Sequence, residues 1–275
     1  MNTDSFTGKD GLNIFTANQL PTGDPKAIVL VVHGYGEHCG RYTHVIEALA
    51  HAGFAAYALD HCGHGQSEGL RAYFDSFDQP ITHLKEYMDR VKAKHAGKKL
   101  FVLGHSMGSL ISLAFTLRYQ KEIAGLVISG TPVNADANVS PLLVQVGYVL
   151  NRIAPRAPLM KMVGLETLST DPQVAIDFAA DPLTYKNNMR VGMGVQMNDT
   201  AKNVREHLPE LKLPMFILHG EQDKLVNPSG SHLTYERAGS KDKTLKIYPG
   251  MYHEIMNERD REVVIGDIVA WLNKH

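Results

Sequence analysis

Cysteine is almost absent: only Cys39 and Cys62 occur in 275 residues. Two cysteines are too few for a disulfide framework, counting alone leaves a single bridge between them open, and neither thiol has a second cysteine at metal-ligand spacing. Both are expected as free thiols in a reducing compartment. No sign of charge dominates, with 28 basic residues against 29 acidic ones and a formal net charge of -1. No run of one sign stands out either, so nucleic acid is not an expected partner. Long apolar runs are missing: none reaches the roughly 18 residues that span a bilayer. The polar start MNTDSFTGKDGLNIF lacks the apolar run of a signal peptide, and the expected location is cytoplasmic. What is present suffices for a large core, because 44% of residues are hydrophobic and 21% charged. The length suits one α/β unit carrying an insertion.

Short β-like runs alternate with helix-like segments. Ala27–Val32 (AIVLVV) is continuously apolar, as a strand buried on both faces of a parallel sheet must be. Phe54–Leu59, Leu100–Leu103, Leu126–Ile128, Met215–Leu218 and Leu245–Tyr248 read as further strands. Helices are expected at Arg41–Ala52, Ile81–Ala96 and at about 107–119, 230–238 and 260–274. Gly8–Gly11 (GKDG) predicts a hairpin at an antiparallel edge. The alternation predicts an α/β fold, a mostly parallel sheet with helices on both faces. From Thr131 to His207 the rhythm stops. That stretch has no strand signal and carries helical apolar spacing at Leu142, Val146, Val149, Leu150 and Ile153. It reads as a helical cap inserted into a core of residues 1–130 and 208–275, and the bland alternative is that its stripe only seals that core.

The pattern Gly-x-Ser-x-Gly marks a sharp strand-to-helix turn that lifts a serine hydroxyl above a sheet. With 24 glycines the pattern alone says little, and it occurs twice: Gly65–Gly69 around Ser67 and Gly104–Gly108 around Ser106. Context separates them. Ser106 has the strand Leu100–Leu103 before it and a helix-patterned stretch, Ser109–Tyr119, after it. Ser67 has neither nearby and reads as a loop serine bonded to its own turn.

A serine nucleophile needs a base, and the base needs a carboxylate to orient it. In the α/β-hydrolase fold these follow in the order Ser, Asp or Glu, His, each on a loop after a strand. Asp223 follows Met215–Leu218 and His253 follows Leu245–Tyr248, so both fall at carboxyl ends of strands, where groups on an open parallel sheet converge. Glu221 is a rival acid nearer the strand end. His219 would still lie in the strand, and His232 is expected on a helix surface. The oxyanion hole needs two backbone N–H donors: the residue after the nucleophile, Met107, and one in the loop His33-Gly34-Tyr35-Gly36, for which Tyr35 is the candidate.

Along nearly its whole length the chain resembles the monoacylglycerol lipases and their lysophospholipase-like bacterial relatives. The stretches that carry the likeness are HGYGEH (33–38) with GRY (40–42), DHCGHGQSEG (60–69), GHSMG (104–108), Asp181-Pro182-Leu183 and KTLKIYPGMYH (243–253). The resemblance implies hydrolysis of a single-chain lipid ester, with no cofactor and no metal. It implies the triad Ser106, Asp223 and His253, with Tyr35 and Met107 amides as oxyanion donors. It implies that Glu37 and Arg41 stand near the glycerol head, where bare sequence reading would make them solvated loop charges. It also implies a cap that opens on an acyl tunnel and touches membrane surfaces, so that the cytoplasmic protein is peripheral at times. Two positions depart from the animal lipases: Met256 replaces a histidine, and Phe178 replaces a tyrosine before Asp-Pro-Leu.

Other reactions of the same fold remain open: a broader esterase, a lysophospholipase, thioester or carbon–carbon hydrolysis, and acyl transfer. A ligand receptor built on the fold is the non-enzymatic alternative. Dehalogenase and epoxide-hydrolase chemistry would need an aspartate where Ser106 stands.

Overall fold

The computed structural model describes residues 1–134, 140–161 and 164–275. Eight strands form one sheet: β1 (Asn2–Thr7), β2 (Asn13–Gln19), β3 (Ile28–Val32), β4 (Ala55–Leu59), β5 (Leu100–His105), β6 (Gly125–Ser129), β7 (Met215–Gly220) and β8 (Lys243–Tyr248). Their order is β1-β2-β4-β3-β5-β6-β7-β8. β1 and β2 form the expected antiparallel hairpin, β2 runs antiparallel to β4, and all remaining pairs are parallel. This is the α/β-hydrolase fold.

Strand β3 explains its own composition. Ile28, Leu30 and Val32 enter one core cluster, while Val29 and Val31 enter another on the opposite face. With both faces buried, no position is left for a polar alternate. Helices α1 (Thr43–His51) and α8 (Arg261–Lys274) cover one face through Val45, Ile46, Leu49, Ile268 and Trp271. Helices α2 (Asp78–Lys94) and α3 (Met107–Tyr119) cover the other through Leu84, Met88, Leu110 and Leu113. The expected helix from Arg41 divides in two: a 3-10 turn at Cys39–Tyr42 precedes α1. Arg41 is thereby held in the turn, where its side chain is drawn to two carboxylates described below.

Between β6 and β7 lie α4 (Pro141–Ile153), α5 (Pro172–Ala180) and α6 (Val191–His207). No strand forms there among the described residues; the one β-like contact is a bridge between Met160 and Met189. Helix α4 turns Leu142, Leu143, Val146, Val149 and Ile153 outward, so four of the five expected stripe residues are exposed. Leu150 departs from the stripe and is half-buried on its flank. Helix α7 (Ser229–Arg237) follows β7 and leaves His232 exposed.

Candidate active site

Ser106 is the hinge between β5 and α3. Its backbone is left-handed, φ 54 and ψ -122, one of only two non-glycine residues at positive φ among those described. Such a conformation costs on the order of 1–3 kcal/mol and persists only where its surroundings enforce it. Here the Ser106 N–H donates to the Ser129 carbonyl on β6, and its carbonyl accepts from the Ser109 and Leu110 amides. Gly108 lies so close to β3 that a Cβ would overlap the Val32 carbonyl oxygen. That is why glycine follows the turn. Ser67, by contrast, is consumed by its loop: its hydroxyl donates to the Asp60 carbonyl at 2.7 Å and accepts from the Phe15 amide at 2.9 Å.

Beyond β7, Asp223 is buried and receives four donors. Its Oδ1 accepts the Leu225 and Val226 amides, both at 2.8 Å. Its Oδ2 accepts His253 Nδ1 at 2.6 Å and His219 Nε2 at 3.0 Å. Burial alone would raise the carboxyl pKa, but the His253 charge and these donors outweigh it and hold the group well below the usual carboxylate range. Glu221 faces solvent and accepts the Gly250 amide, so the rival acid points away. With Nδ1–H of His253 committed to Asp223, the lone pair of the ring in its uncharged form lies on Nε2. That nitrogen is buried and has no hydrogen-bond partner. Room for the ring comes from Gly130, φ 60, where a Cβ would stand 3.0 Å from His253 Cε1.

The His33–Gly36 loop passes beside the serine: a Cβ on Gly34 would lie 3.2 Å from Ser106 Cβ. Glu37 anchors that loop. Its Oε1 accepts the Gly34 amide and the Tyr42 hydroxyl, each at 2.6 Å, and its Oε2 accepts Arg41 at 2.7 Å. Arg41 also grips Glu254 through two bonds of 2.8 and 2.7 Å. One buried guanidinium thus ties the loop beside Ser106 to the residue after His253. Glu37 lines the cavity with every oxygen engaged by protein donors, whereas Arg41 stands behind it and does not line the cavity. Both are therefore loop anchors and not solvated charges, and Glu37 holds its place on the wall of the cavity beside which the resemblance put it.

Ser106, His253, Tyr35 and Glu37 share a cavity of about 340 Å³. Leu165, Leu168, Phe178, Tyr185 and Met189, all from between β6 and β7, close its other side. His105 also lines it, its ring centroid 4.7 Å from that of His253. Burial, then the neighbouring His253 charge, pushes His105 down to about 3, so it faces His253 neutral. Sequence reasoning passed over His105, although it sits inside the quoted motif. The residues match the family described as serine aminopeptidase, S33, over positions 23–260.

The chain belongs to that family. This S33 hydrolase is 35% identical to the monoacylglycerol lipase of Mycolicibacterium smegmatis, over 98% of this chain and 96% of that protein. It is 34% identical to the monoglyceride lipase of Homo sapiens, over 96% of this chain and 88% of the relative. Its structure is similar to the crystal structure of Paleococcus ferrophilus monoacylglycerol lipase, with a TM-score of 0.84 and 30% identity across 94% of this chain and 98% of that one. At its two departures from the animal lipases, this S33 hydrolase places Phe178 on the cavity wall beneath the Arg41 guanidinium, 4.8 Å from the ring. Met256 is buried in the core beside α8 and does not reach the cavity.

Proposed function

We infer that the chain is a serine ester hydrolase that cleaves monoacylglycerols, with Ser106 as nucleophile, His253 as base and Asp223 as the group that orients it. The observation that carries this reading is the His253 imidazole. One nitrogen is fixed on a buried carboxylate, and the other is unpartnered in the cavity that Ser106 lines. In the reaction, Nε2 takes the Ser106 proton as Oγ attacks the ester carbonyl. The Tyr35 and Met107 amides receive the oxyanion, and neither donates to another acceptor among the described residues. Collapse breaks the ester bond and returns the proton from His253 to the departing glycerol oxygen, leaving acyl-Ser106. Water then repeats the sequence and releases the fatty acid.

The family description names an aminopeptidase, which would hold its substrate's ammonium on a free carboxylate. Both carboxylates on the cavity wall, Glu37 and Glu254, are tied to the one Arg41 guanidinium, and all their oxygens accept protein donors, so neither is free to hold an ammonium. A neutral ester therefore fits better. The names of the lipase relatives point the same way, and the anchors behind the loop leave an apolar wall at Phe178 and Leu168 for a single-chain lipid. Residues 131–207 act in this reading as a cap, and its outward α4 stripe is the part that meets a lipid surface. No helix among the described residues is long and apolar enough to cross a membrane.

The test is glycerol release from a monoacylglycerol. Ser106→Ala should fold and lose roughly 10⁴–10⁶-fold of the activity, and a fluorophosphonate should label Ser106. Ser67→Ala should remain active. Labelling of Ser67, with Ser67→Ala dead, would overturn the assignment.

A further inference from the structure

A second, apolar cavity of about 250 Å³ lies between α4 and α6, walled by Val144, Gly147, Val195, Met197 and Ala201, with the largely exposed Leu143 at its mouth. Its polar rim is occupied with itself: the Tyr148 hydroxyl bonds Asp199 and accepts from Asn198 at 3.2 Å. Among the described residues, Met189 alone lines both this cavity and the one beside Ser106. Met160 faces it across a pair of backbone bonds, the Met160 N–H donating to Met189 at 3.1 Å and the Met189 N–H donating back at 2.8 Å. Two further bonds, Val191 N–H to Ala157 and Gly192 N–H to Pro155, stitch the same two segments together. The backbone of this divide is therefore fixed. Its side chains are not, because methionine has three rotatable bonds and fills irregular space adaptably. Both thioethers lie over Gly194, where a Cβ would collide with Met160 Sδ and stand 3.7 Å from Met189 Sδ.

We propose that Met189 and Met160 form an adjustable partition that sets the acyl length this enzyme accepts. The inference rests on the ester-hydrolase reading above and adds to it the residues that select the chain. A short acyl chain ends in the first cavity and leaves the partition undisturbed. The methyl end of a long chain enters the second cavity only when the thioethers rotate aside. An alkyl end is the occupant because the second cavity is apolar, offers no unengaged charge and meets the first cavity at Met189.

The experiment compares kcat/KM on octanoyl, lauroyl and oleoyl glycerol, with a soluble acetate ester as control. Met189→Ala should raise oleoyl over octanoyl preference by about tenfold, within the range that a few methylenes in an apolar pocket command. Met189→Phe should lower it by a similar factor. Gly194→Ala, which crowds the Met160 thioether without touching the first cavity, should also disfavour oleoyl. Gly194→Ala, outside the catalytic cavity, should cleave the acetate ester at the parent rate; for the Met189 variants, whose side chain lines that cavity, the acetate rate is the reference against which each chain-length ratio is read. An unchanged chain-length profile in variants that still cleave acetate overturns the partition. A parent protein that cleaves no ester at all overturns the hydrolase reading itself, and the partition with it.

Discussion

His219 and His253 share one oxygen of Asp223, at 3.0 and 2.6 Å. The sharing fixes both rings. His219 Nε2 also faces the Val226 carbonyl, so that nitrogen carries hydrogen and Nδ1 accepts from the Ser231 hydroxyl at 2.7 Å. His219 is thus a second donor that locks the carboxylate from behind the strand. Asp223→Asn places an amide where the acceptor was and favours the wrong His253 tautomer. The expected loss in kcat is about 10⁴-fold. His219→Phe removes one donor to a charged oxygen, worth about 1.5–3 kcal/mol, and should lower kcat at least tenfold (~1.4 kcal/mol) with KM little changed. Equal activity of His219→Phe and the parent would show that the other three donors suffice.

Acid should unfold this protein early. His33, His61 and His64 are buried together beneath the loop of Tyr35, and His105 is buried beside His253. Burial is the largest cause of depression in each: His61 and His105 are pushed down to about 3, His64 to about 4, and His33 well below the ordinary imidazole value. In the unfolded chain these rings titrate near ~6.5. Below that pH the unfolded state binds protons that the folded state refuses, so stability is complete above ~6.5 and falls as pH drops toward the folded values. Each ring contributes a slope of roughly 1 kcal/mol per pH unit. Asp223, also depressed, adds its own loss only below the unfolded carboxylate value of ~3.9. Urea midpoints measured from pH 7.5 to 4.5 should fall steeply, and His61→Gln should flatten the slope by about a quarter. A level profile between pH 7 and 5 would mean that the rings are already charged in the fold.

The frame of the fold was legible because buried parallel strands leave a plain mark, as Ala27–Val32 and Met215–Leu218 do. The choice of Ser106 over Ser67 was legible for a local reason, since the strand and helix that force the turn adjoin it in sequence. The anchoring of Glu37 and Arg41 was not. It depends on Glu254, 213 residues from Arg41, and no periodicity reports a partner at that distance. The same holds for the approach of Met160 to Met189. The turn of Leu150 toward the flank of α4 depends on how that helix lies against α6, which its own spacing does not contain. His105 was hidden by a pattern that assigns its position to any residue.

The outward face of α4 supplies the last expectation. Leu142 is 73% exposed, Val149 56% and Ile153 76%. Contiguous apolar exposure of this kind marks a surface that meets lipid or protein, and helix α4 is far too short to span a bilayer. Because these side chains are already in water, replacing Leu142, Val149 and Ile153 with Ser should leave the melting temperature nearly unchanged, as surface substitutions do. Leu150→Ser, on the half-buried flank, should lower it. If the stripe rests on a lipid surface, the triple variant should bind anionic and zwitterionic vesicles less tightly and hydrolyse aggregated long-chain monoacylglycerol several-fold more slowly. Losing three apolar contacts with the interface at ~0.8 kcal/mol for each buried methylene is ample for that effect. A soluble short-chain ester needs no surface and should be cleaved at the parent rate by the same protein. Vesicle cosedimentation and paired assays on the two substrates separate the outcomes. Equal slowing on both substrates, together with a lower melting temperature, would instead assign the stripe to packing within the cap.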